Sequence, residues 1–484
     1  MTRIFITVFL EIFSVRYCKS VCWIRRDLRL NDNIALSSAI AQSKEVVLVF
    51  VFDSNILGKL KNKNDRRITF IYESLLELDQ DLREKGSALV VLQGDPKIEI
   101  PQFSKRIKAN AIFVNRDYEP YAKKRDKAVQ NTCKKLGIVF NDYKDHVIFE
   151  GNELLNQSGK PYKVFTPYKN KWLVELNKTH YQNHKPNLKG LSSIKKLRGE
   201  LSDWSFNTIG FNSVKLWLKP GQSAAENQLK QFLPHLNTYD KYRDYPFITN
   251  GTSHLSVHLR FGTLSIRSLV RVALNSTNSG AKTWLSELIW RDFYQMILDQ
   301  FPHVVKGCFN QKYEQIQWPG VERHFTLWCQ GMTGFPIIDS AMRCFNQTGW
   351  MHNRLRMIVA SFLTKDLLVD WRKGEKWFAK NLLDFDLAAN NGGWQWCAST
   401  GCDAQPYFRI FNPITQSKKF DPTGNFIRQY LPELNNFSNK HIHWPHLADR
   451  EAQIKLGCIF GKNYPKPIVD HTEQRIKALQ LFKF

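Results

Sequence analysis

Residues 46–52 read VVLVFVF, seven consecutive apolar side chains of which six are β-branched or aromatic. A strand that is apolar on both faces is typical of a parallel sheet covered by helices on both sides. Four similar runs predict further strands, and the amphipathic stretches between them predict helices. The predicted strands are Val21–Ile24, Val46–Phe52, Ala88–Leu92, Ala111–Asn115 and Ile138–Phe140, and the predicted helices are Asn33–Ala41, Arg66–Glu84, Pro96–Lys108 and Ala122–Leu136. This alternation predicts a doubly wound, Rossmann-like α/β domain.

The pattern changes after the last predicted strand. Residues 152–212 are rich in Lys and Asn and show little periodicity, which predicts a long interdomain connector. From Ser213 onward helical spacing dominates, as in Trp284–Gln300, Phe335–Asn346, His352–Val369 and Glu375–Leu383. We therefore predict an extension at residues 1–18, the α/β domain at 19–148, the connector at 149–212 and an all-α domain at 213–484.

The predicted extension contains a short apolar run, Ile4–Phe13, which Glu11 interrupts. The run is too short to span a bilayer, and no clear small-residue cleavage site follows it. A weak signal peptide stays open beside the interpretation that we favour, a dispensable extension or an upstream start codon.

Composition points to a polyanionic partner. Lys and Arg number 69 against 44 Asp and Glu, which gives a formal net charge of +25. Such an excess favours nucleic acid or an anionic surface as partner. The chain also has 14 Trp and 33 Phe, which are many for so basic a protein. Base stacking, flavin contact and electron transfer would use such rings, and a Trp-rich core is the alternative.

Several common kinds of site have no motif here. The nine Cys form no CxxC pair and no zinc spacing, so reduced thiols and no metal are expected. No GxGxxG follows the first predicted strand, no Gly-Lys pair has the upstream glycine of a P-loop, and no GxSxG or HExxH occurs. The sequence therefore gives little support to the interpretation that this chain is a hydrolase or a kinase.

Three helical segments carry unusual polar groups. Trp284, Glu287, Arg291 and Tyr294 share one helix face, with Trp290 beside it. Such a face suits a cavity for a planar, partly polar ligand, although a solvated face is the alternative. The other two segments and a cluster of hydroxyl residues also carry polar groups that could contact such a ligand. In the second segment, helical spacing relates Trp350, Asn353, Arg354 and Met357. In the third, Asp386 and Asn390 are four residues apart, before a helix end predicted at Gly392-Gly393. The hydroxyl cluster, Thr252–Ser256, could bind a pyrophosphate or cap a helix.

Together these segments resemble the photolyase/cryptochrome flavoprotein family. The resemblance runs from about Lys19 to near the C-terminus and depends on long motifs. They are Trp23–Asp32, Trp284–Tyr294, Gly349–Met357, Asp384–Trp396 and Tyr407–Pro413. Within the family the chain most resembles class I photolyases, which repair cyclobutane pyrimidine dimers.

The resemblance implies that the helical domain binds FAD in a U shape. Asn390 would face flavin N5, where photolyases typically carry Asn. The matching positions are Tyr239, Thr252, Ser253, His254, Leu255, Ser256, Trp284, Glu287, Arg291, Asn353, Arg356, Asp384, Phe385, Asp386 and Asn390. Trp318, Trp371 and Trp394 match the chain of indoles that relays electrons from the surface to the photoexcited flavin.

The same resemblance implies a site for DNA in which the damaged bases are flipped out of the duplex. Trp290 and Trp396 would form an aromatic wedge, with Glu287, Asn353 and Met357 against the dimer. The whole helix segment from Glu287 to Tyr294 matches the family's DNA-contacting region. The positions assigned to DNA are Arg243, Glu287, Leu288, Ile289, Trp290, Arg291, Asp292, Phe293, Tyr294, Asn353, Arg354, Arg409, Gln416 and Lys418, the last from charge alone.

The implied reaction is driven by light. Reduced FAD absorbs blue or near-ultraviolet light and gives one electron to the dimer, the cyclobutane ring splits, and the electron returns. Glu287 would stabilise the dimer radical anion by hydrogen bonding. The enzyme would thus be a carbon–carbon lyase, a deoxyribodipyrimidine photo-lyase.

A second chromophore, the light-harvesting antenna, would bind in the α/β domain. In folate-using relatives a Glu in the segment matching Asp117–Asp126 contacts the antenna, but an ungapped alignment places Ala122 there and Glu119 three residues earlier. We therefore expect another antenna such as a deazaflavin, or none, and do not assign folate.

Three other functions stay open. A cryptochrome signalling protein has the same fold but often a C-terminal tail, and a six-four photoproduct photolyase usually has a His pair where this chain has His352-Asn353-Arg354. A basic nucleic-acid-binding protein without catalysis would explain the charge but not Asp384–Asn390. We expect a monomer that acts on damaged DNA, without membrane association, in the cytoplasm, and at the nucleoid if the source is bacterial.

Overall fold

The computed structural model describes residues 16–483. The predicted apolar run Ile4–Phe13 therefore lies outside the described residues, and β1 begins at Tyr17. The five strands are β1 (Tyr17–Ile24), β2 (Ser43–Asp53), β3 (Val90–Gly94), β4 (Ala111–Asn115) and β5 (Val139–Tyr143).

Helices fill most of the remaining chain. The first thirteen are α1 (Ile34–Gln42), α2 (Ser54–Leu57), α3 (Arg66–Glu84), α4 (Pro96–Arg106), α5 (Pro120–Lys135), α6 (Phe165–Glu175), α7 (Lys178–Tyr181), α8 (Ile194–Leu197), α9 (Phe206–Ile209), α10 (Gln222–Phe232), α11 (Tyr239–Tyr242), α12 (Ser256–Phe261) and α13 (Ile266–Leu274). The others are α14 (Ser279–Gln300), α15 (Glu322–Gln330), α16 (Pro336–Thr348), α17 (Asn353–Ser361), α18 (Trp371–Asn381), α19 (Leu387–Ala398), α20 (Pro413–Phe420), α21 (Asn425–Tyr430), α22 (Arg450–Lys455) and α23 (His471–Leu481).

The chain divides into two compact units. Within the described residues, the α/β unit comprises 16–150, Leu176–Leu229 and Leu255–Asn275. The helical unit comprises Gly151–Glu175, Lys230–His254 and 276–483. This partition is not linear as in the predicted segments 19–148, 149–212 and 213–484, because the connector is shared between the units and Leu255–Asn275 belongs with the sheet. Apolar periodicity identifies helices but not which core they join.

The α/β unit confirms the predicted doubly wound fold. All strand pairs are parallel, in the order β3-β2-β1-β4-β5. Cys22 pairs with Leu48 of β2 on one side and with Phe113 of β4 on the other, so β1 lies at the centre. From β1 the chain continues to β2 and β3 on one side, and it then returns to β4 on the other side of β1. The carboxyl ends of β1 and β4 therefore form a topological switch point.

The helical unit confirms the all-α prediction and corrects three details. The predicted connector, residues 149–212, contains the helix α6 although its sequence shows little periodicity. The helix predicted at His352–Val369 ends at Ser361 and continues as a π-helical turn, Phe362–Asp366. The helix predicted at Glu375–Leu383 begins earlier, at Trp371, because the Asp370 side chain accepts a hydrogen bond from the Arg372 backbone N–H and caps it.

Within residues 16–483 no helix has both the length and the apolar character needed to cross a bilayer. The same residues contain no cluster of His, Cys, Asp or Glu with the geometry of a metal site.

Candidate functional site

Helix α14 supplies the largest share of the predicted site. Leu285, Leu288 and Phe293 are buried on one side of this helix. Trp284 is buried too, with its ring 5.3 Å from that of Phe232. The half-buried positions are Glu287, Trp290, Arg291 and Tyr294, as the predicted polar face requires.

Four of the residues assigned to DNA do not reach the surface. Leu288, Ile289, Asp292 and Phe293 are all less than 7% exposed. Asp292 accepts a hydrogen bond from Trp172 Nε1 at 3.2 Å inside the helical unit. The motif match over consecutive residues thus includes the buried side of the helix, and contact of these four positions with DNA stays a prediction.

A chain of alternating charges links α14 to α17. Arg243 Nη1 donates to Glu287 Oε1 at 2.5 Å, and Arg243 Nε lies 3.9 Å from Asp244 Oδ1. Asp244 in turn pairs with Arg354 of α17 at 2.9 Å. Three predicted site residues, Glu287, Arg243 and Arg354, are thus brought together by Asp244, which the sequence analysis missed. Burial and the Glu287 carboxylate both raise the pKa of the neighbouring Tyr239 phenol.

Helix α17 begins at Asn353, so Trp350 precedes the helix and does not lie on its face. His352 is the N-cap, and its Nδ1 accepts from the Arg354 backbone N–H at 3.1 Å. Because Nδ1 is an acceptor, the neutral ring carries its hydrogen on Nε2. This Nε2 is buried without a hydrogen-bond partner among residues 16–483. Burial lowers the pKa of His352 to about 3, so the ring is neutral.

The segment from Asp384 to Asn390 is tied down by three contacts. Arg356 Nη2 donates to both oxygens of Asp384 at 2.8 and 3.1 Å. Asp386 caps α19 and accepts from Gln295 Nε2 of α14 at 2.9 and 3.0 Å.

Asn390 is fixed by a partner that the sequence analysis did not find. Its Nδ2 donates to the Glu375 backbone oxygen at 3.2 Å and to Glu375 Oε1 at 2.9 Å. With the amide hydrogens used, the Asn390 carbonyl oxygen is the group that is left to accept from a ligand. Burial raises the pKa of Glu375, and the Asn390 hydrogen bond opposes that shift.

Gly392 and Gly393 do not end a helix, contrary to the prediction, because α19 runs on to Ala398. The first glycine instead permits a close approach between helices. A Cβ atom on Gly392 would lie 2.2 Å from the Tyr294 ring of α14, whereas nothing lies within 4 Å of one on Gly393. The ring of Tyr294 therefore packs directly on the backbone of α19.

The aromatic positions fall into two groups. Trp318, Trp371 and Trp394 belong to one apolar core of the helical unit, which also includes Trp396 and Phe385. Among the described residues none of these three rings, which the resemblance assigns to an electron relay, stacks on another; Trp394 packs edge-on against Trp328 at 6.0 Å. Separately, Trp290 stacks on Phe165 of α6, with ring centroids 3.6 Å apart. Phe165 was missed because it lies in the segment predicted to be irregular.

The remaining predicted positions are less constrained. Arg409, Lys418 and Asn353 are exposed, whereas Gln416 and Met357 are half-buried. Phe408, which carried no prediction, is 58% exposed beside Arg409. Within the hydroxyl cluster, Thr252, Ser253 and His254 belong to the helical unit, and Leu255 and Ser256 to the α/β unit.

Two family models match the chain. Residues 20–187 match "DNA photolyase", and residues 284–484 match "FAD binding domain of DNA photolyase". A deoxyribodipyrimidine photo-lyase of Synechococcus sp. is 39% identical over 94% of this chain and 95% of its own length. The enzyme of that name from Escherichia coli is also 39% identical, over 95% of this chain and 98% of its own length.

Solved structures agree over nearly the whole chain. A class III photolyase from Agrobacterium tumefaciens has a TM-score of 0.88 and 34% identity, covering 97% of this chain and 98% of its own. A photolyase from Sulfolobus tokodaii with two FAD molecules scores 0.81 at 32% identity, covering 96% and 99%. A Synechocystis cryptochrome scores 0.85 at 27% identity, covering 96% and 99%.

The packing of Tyr294 on α19 makes a testable distinction between adjacent glycines. Gly392→Ala is expected to destabilise the protein by about 1–3 kcal/mol, because the ring or the helix must move. Gly393→Ala, the matched control, is expected to be neutral or to stabilise by up to about 1 kcal/mol, since alanine favours a helix. Thermal unfolding of both variants measures the difference. Equal effects of the two substitutions would contradict the close approach.

Proposed function

The chain belongs to the DNA photolyase family, and we propose that it is a light-driven enzyme that splits cyclobutane pyrimidine dimers in DNA with FAD as cofactor. The observation that carries the proposal is the convergence of α14, α17 and α19. Their contacts hold a half-buried carboxylate, Glu287, and an oriented amide, Asn390, within one helical unit. The class I assignment stays a prediction.

The polar groups of the helical unit fit a flavin. The carbonyl oxygen of Asn390 is an acceptor suited to an N–H group such as flavin N5–H. The buried Nε2 of His352 is a donor that needs an acceptor, such as an oxygen of the cofactor. When bound and reduced, FAD supplies the electron donor that absorbs light. Arg356, Asp384 and Asp386 would hold it by polar contacts, and Glu375 would keep the Asn390 amide in one orientation.

Glu287 is proposed to contact the dimer. Arg243 holds this carboxylate in place, and the half-buried setting strengthens a hydrogen bond to a ligand relative to bulk water. Asn353 and Met357 lie one helical turn apart on α17, where Asn353 Nδ2 is 3.9 Å from Met357 Sδ. We assign Asn353 a hydrogen-bonding role and Met357 an apolar contact.

The aromatic wedge is proposed to combine Trp290 with Trp396. The Phe165 stack covers one face of Trp290 and so fixes its orientation. Arg409 and Lys418 are assigned to phosphates, which position DNA without reading its sequence. We add Phe408 to these residues, because an exposed ring beside a cation is suited to fill the gap that a flipped-out dimer leaves in the stack.

The α/β unit is the proposed site of any second chromophore. At the carboxyl end of its sheet, Arg125 is 7% exposed, and its Nη2 is buried with no hydrogen-bond partner among the described residues. Its guanidinium lies 5.0 Å from the Trp23 ring and 5.8 Å from that of Tyr121. A planar ligand with acceptor oxygens fits these groups. Folate remains unassigned, because Ala122 is buried and Glu119 is already paired with Arg26 and Arg260.

We further propose that the protein acts as a monomer on DNA, in the cytoplasm or at a bacterial nucleoid. A cryptochrome-type signalling role on the same fold is the alternative. Asn353-Arg354 after His352, in place of a His pair, and Met357 favour dimer repair over repair of six-four photoproducts.

The role of Glu287 can be tested directly. Glu287→Ala is expected to lower the dimers split per absorbed photon by roughly tenfold, because the bound dimer loses its hydrogen bond with Glu287. Flavin content should be nearly unchanged. Glu322→Ala, which removes an exposed carboxylate paired with Lys373, serves as the control. Unchanged repair in Glu287→Ala would remove this residue from the reaction.

The proposed relay makes a second prediction. Trp394→Phe should prevent light-driven reduction of the oxidised protein while pre-reduced protein still repairs dimers. Trp328→Phe is the matched control, because Trp328 packs edge-on against Trp394 but is not assigned to the relay. Absorbance under steady illumination with an external reductant measures both variants. Full photoreduction of Trp394→Phe would refute the assigned route.

A further inference from the structure

One face of the α/β unit is strongly basic and has no role in the proposed reaction. Helices α4 and α5 pack side by side over the sheet, with Ile100, Phe103, Val129 and Cys133 in their shared core. Their outer side defines what we name the basic face. It consists of six exposed lysines, namely Lys105, Lys108, Lys124, Lys127, Lys134 and Lys135.

The lysines of α5 lie on one stripe. Lys124, Lys127 and Lys134 are separated by three and seven residues, which places them on the same side of an α-helix. The buried residues of α5, among them Val129 and Cys133, lie on the opposite side. The stripe therefore faces away from the sheet.

Acidic side chains do not neutralise this face. The only acid within α5 is Asp126, which is already paired with Arg25 at 2.6 Å and with Arg125 at 2.9 Å. Among the described residues, the six lysines form no ion pair. Lys127 donates only to the neutral Gln130 side chain, at 3.1 Å.

The stability of α5 does not explain the whole pattern. Lys134 and Lys135 occupy the last turn, where cations interact favourably with the helix dipole. Lys124 lies near the other end, where a cation is unfavourable, and the first turn holds no acid. Lys124 and Lys127 are also a like-charged pair at a spacing of three, which destabilises a helix. A partner that carries dense negative charge would offset these costs.

Neither of the two longer helices on the opposite side of the sheet contains a lysine. Right-handed crossovers place α1 and α3 on the side away from α4 and α5. Along α3, Glu73, Glu77, Asp81 and Glu84 recur at spacings of four, four and three.

We propose that the basic face binds the phosphate backbone of duplex DNA, in addition to the contacts made by the repair site. The choice of DNA as the polyanion rests on the proposed function. Such contacts are independent of sequence and damage, and each one releases counterions. The face would raise the affinity for long DNA on which dimers are rare.

The test replaces four lysines and compares a matched set. The basic-face variant is Lys105→Gln, Lys124→Gln, Lys134→Gln and Lys135→Gln, and the control variant is Lys61→Gln, Lys63→Gln, Lys215→Gln and Lys219→Gln. The control lysines are exposed and lie on the α3 side. Asn212 N donates to Lys63 O at 2.8 Å, and Val214 N donates to Thr69 Oγ1 of α3 at 3.2 Å. Both variants lose the same charge.

Affinity for an undamaged duplex of several helical turns is measured against salt concentration. The slope of log K against log salt should become less negative by about 0.9 for each lost phosphate contact, thus by up to ~3.6 in the basic-face variant. The control variant should keep the slope of the unmodified protein. An equal change in both variants, or none in the basic-face variant, would overturn the proposal. So would lost binding to anionic phospholipid vesicles with unchanged binding to the duplex.

Dimer splitting is measured separately on a short oligothymidylate. Both variants should split dimers as the unmodified protein does, because none of the substituted lysines is assigned to the repair site. If the unmodified protein splits no dimers, the proposed function fails, while the difference in salt slope still decides whether the basic face binds DNA.

Discussion

The candidate site depends on the contact between α14 and α19, where Gly392 has no side chain and the Tyr294 ring packs against the helix backbone. One residue further along α14, Gln295 donates to Asp386, the N-cap of α19. Packing and capping thus fix α19 at two points to adjacent residues of α14. Glu287 lies on α14 and Asn390 on α19, so the two groups assigned to dimer and flavin are carried by one rigid pair of elements.

Around this pair, charged and amide groups are oriented by partners rather than left to solvent. Arg243 and Asp244 link Glu287 to Arg354, and Glu375 fixes the Asn390 amide. A preorganised polar site loses little free energy to reorientation when charge moves during a reaction. Electron transfer to a bound dimer needs this kind of site more than it needs a nucleophile, in agreement with the missing hydrolase motifs.

Much of this arrangement was predictable from sequence, because continuous apolar runs specify parallel strands and helical spacing specifies a buried stripe. Ala111–Asn115 and Arg66–Glu84 match the structure end to end. Groups that depend on tertiary contact could not be found this way. Glu375 and Phe165 act through residues 15 and 125 positions away, Gly392 reads as a helix terminator, and the π-turn at Phe362–Asp366 has no periodic signal. Long motif matches pointed to the candidate site but also included buried neighbours such as Ile289.

The central claim is that light, and not binding alone, makes this protein repair DNA. The most direct measurement uses anaerobically reduced protein and an oligothymidylate that carries cyclobutane dimers, and follows recovery of thymine absorbance in the ultraviolet. We predict recovery under blue light and none in darkness. A protein that binds FAD but restores no absorbance under light would contradict this claim. Such a result would favour a signalling role or the repair of six-four photoproducts.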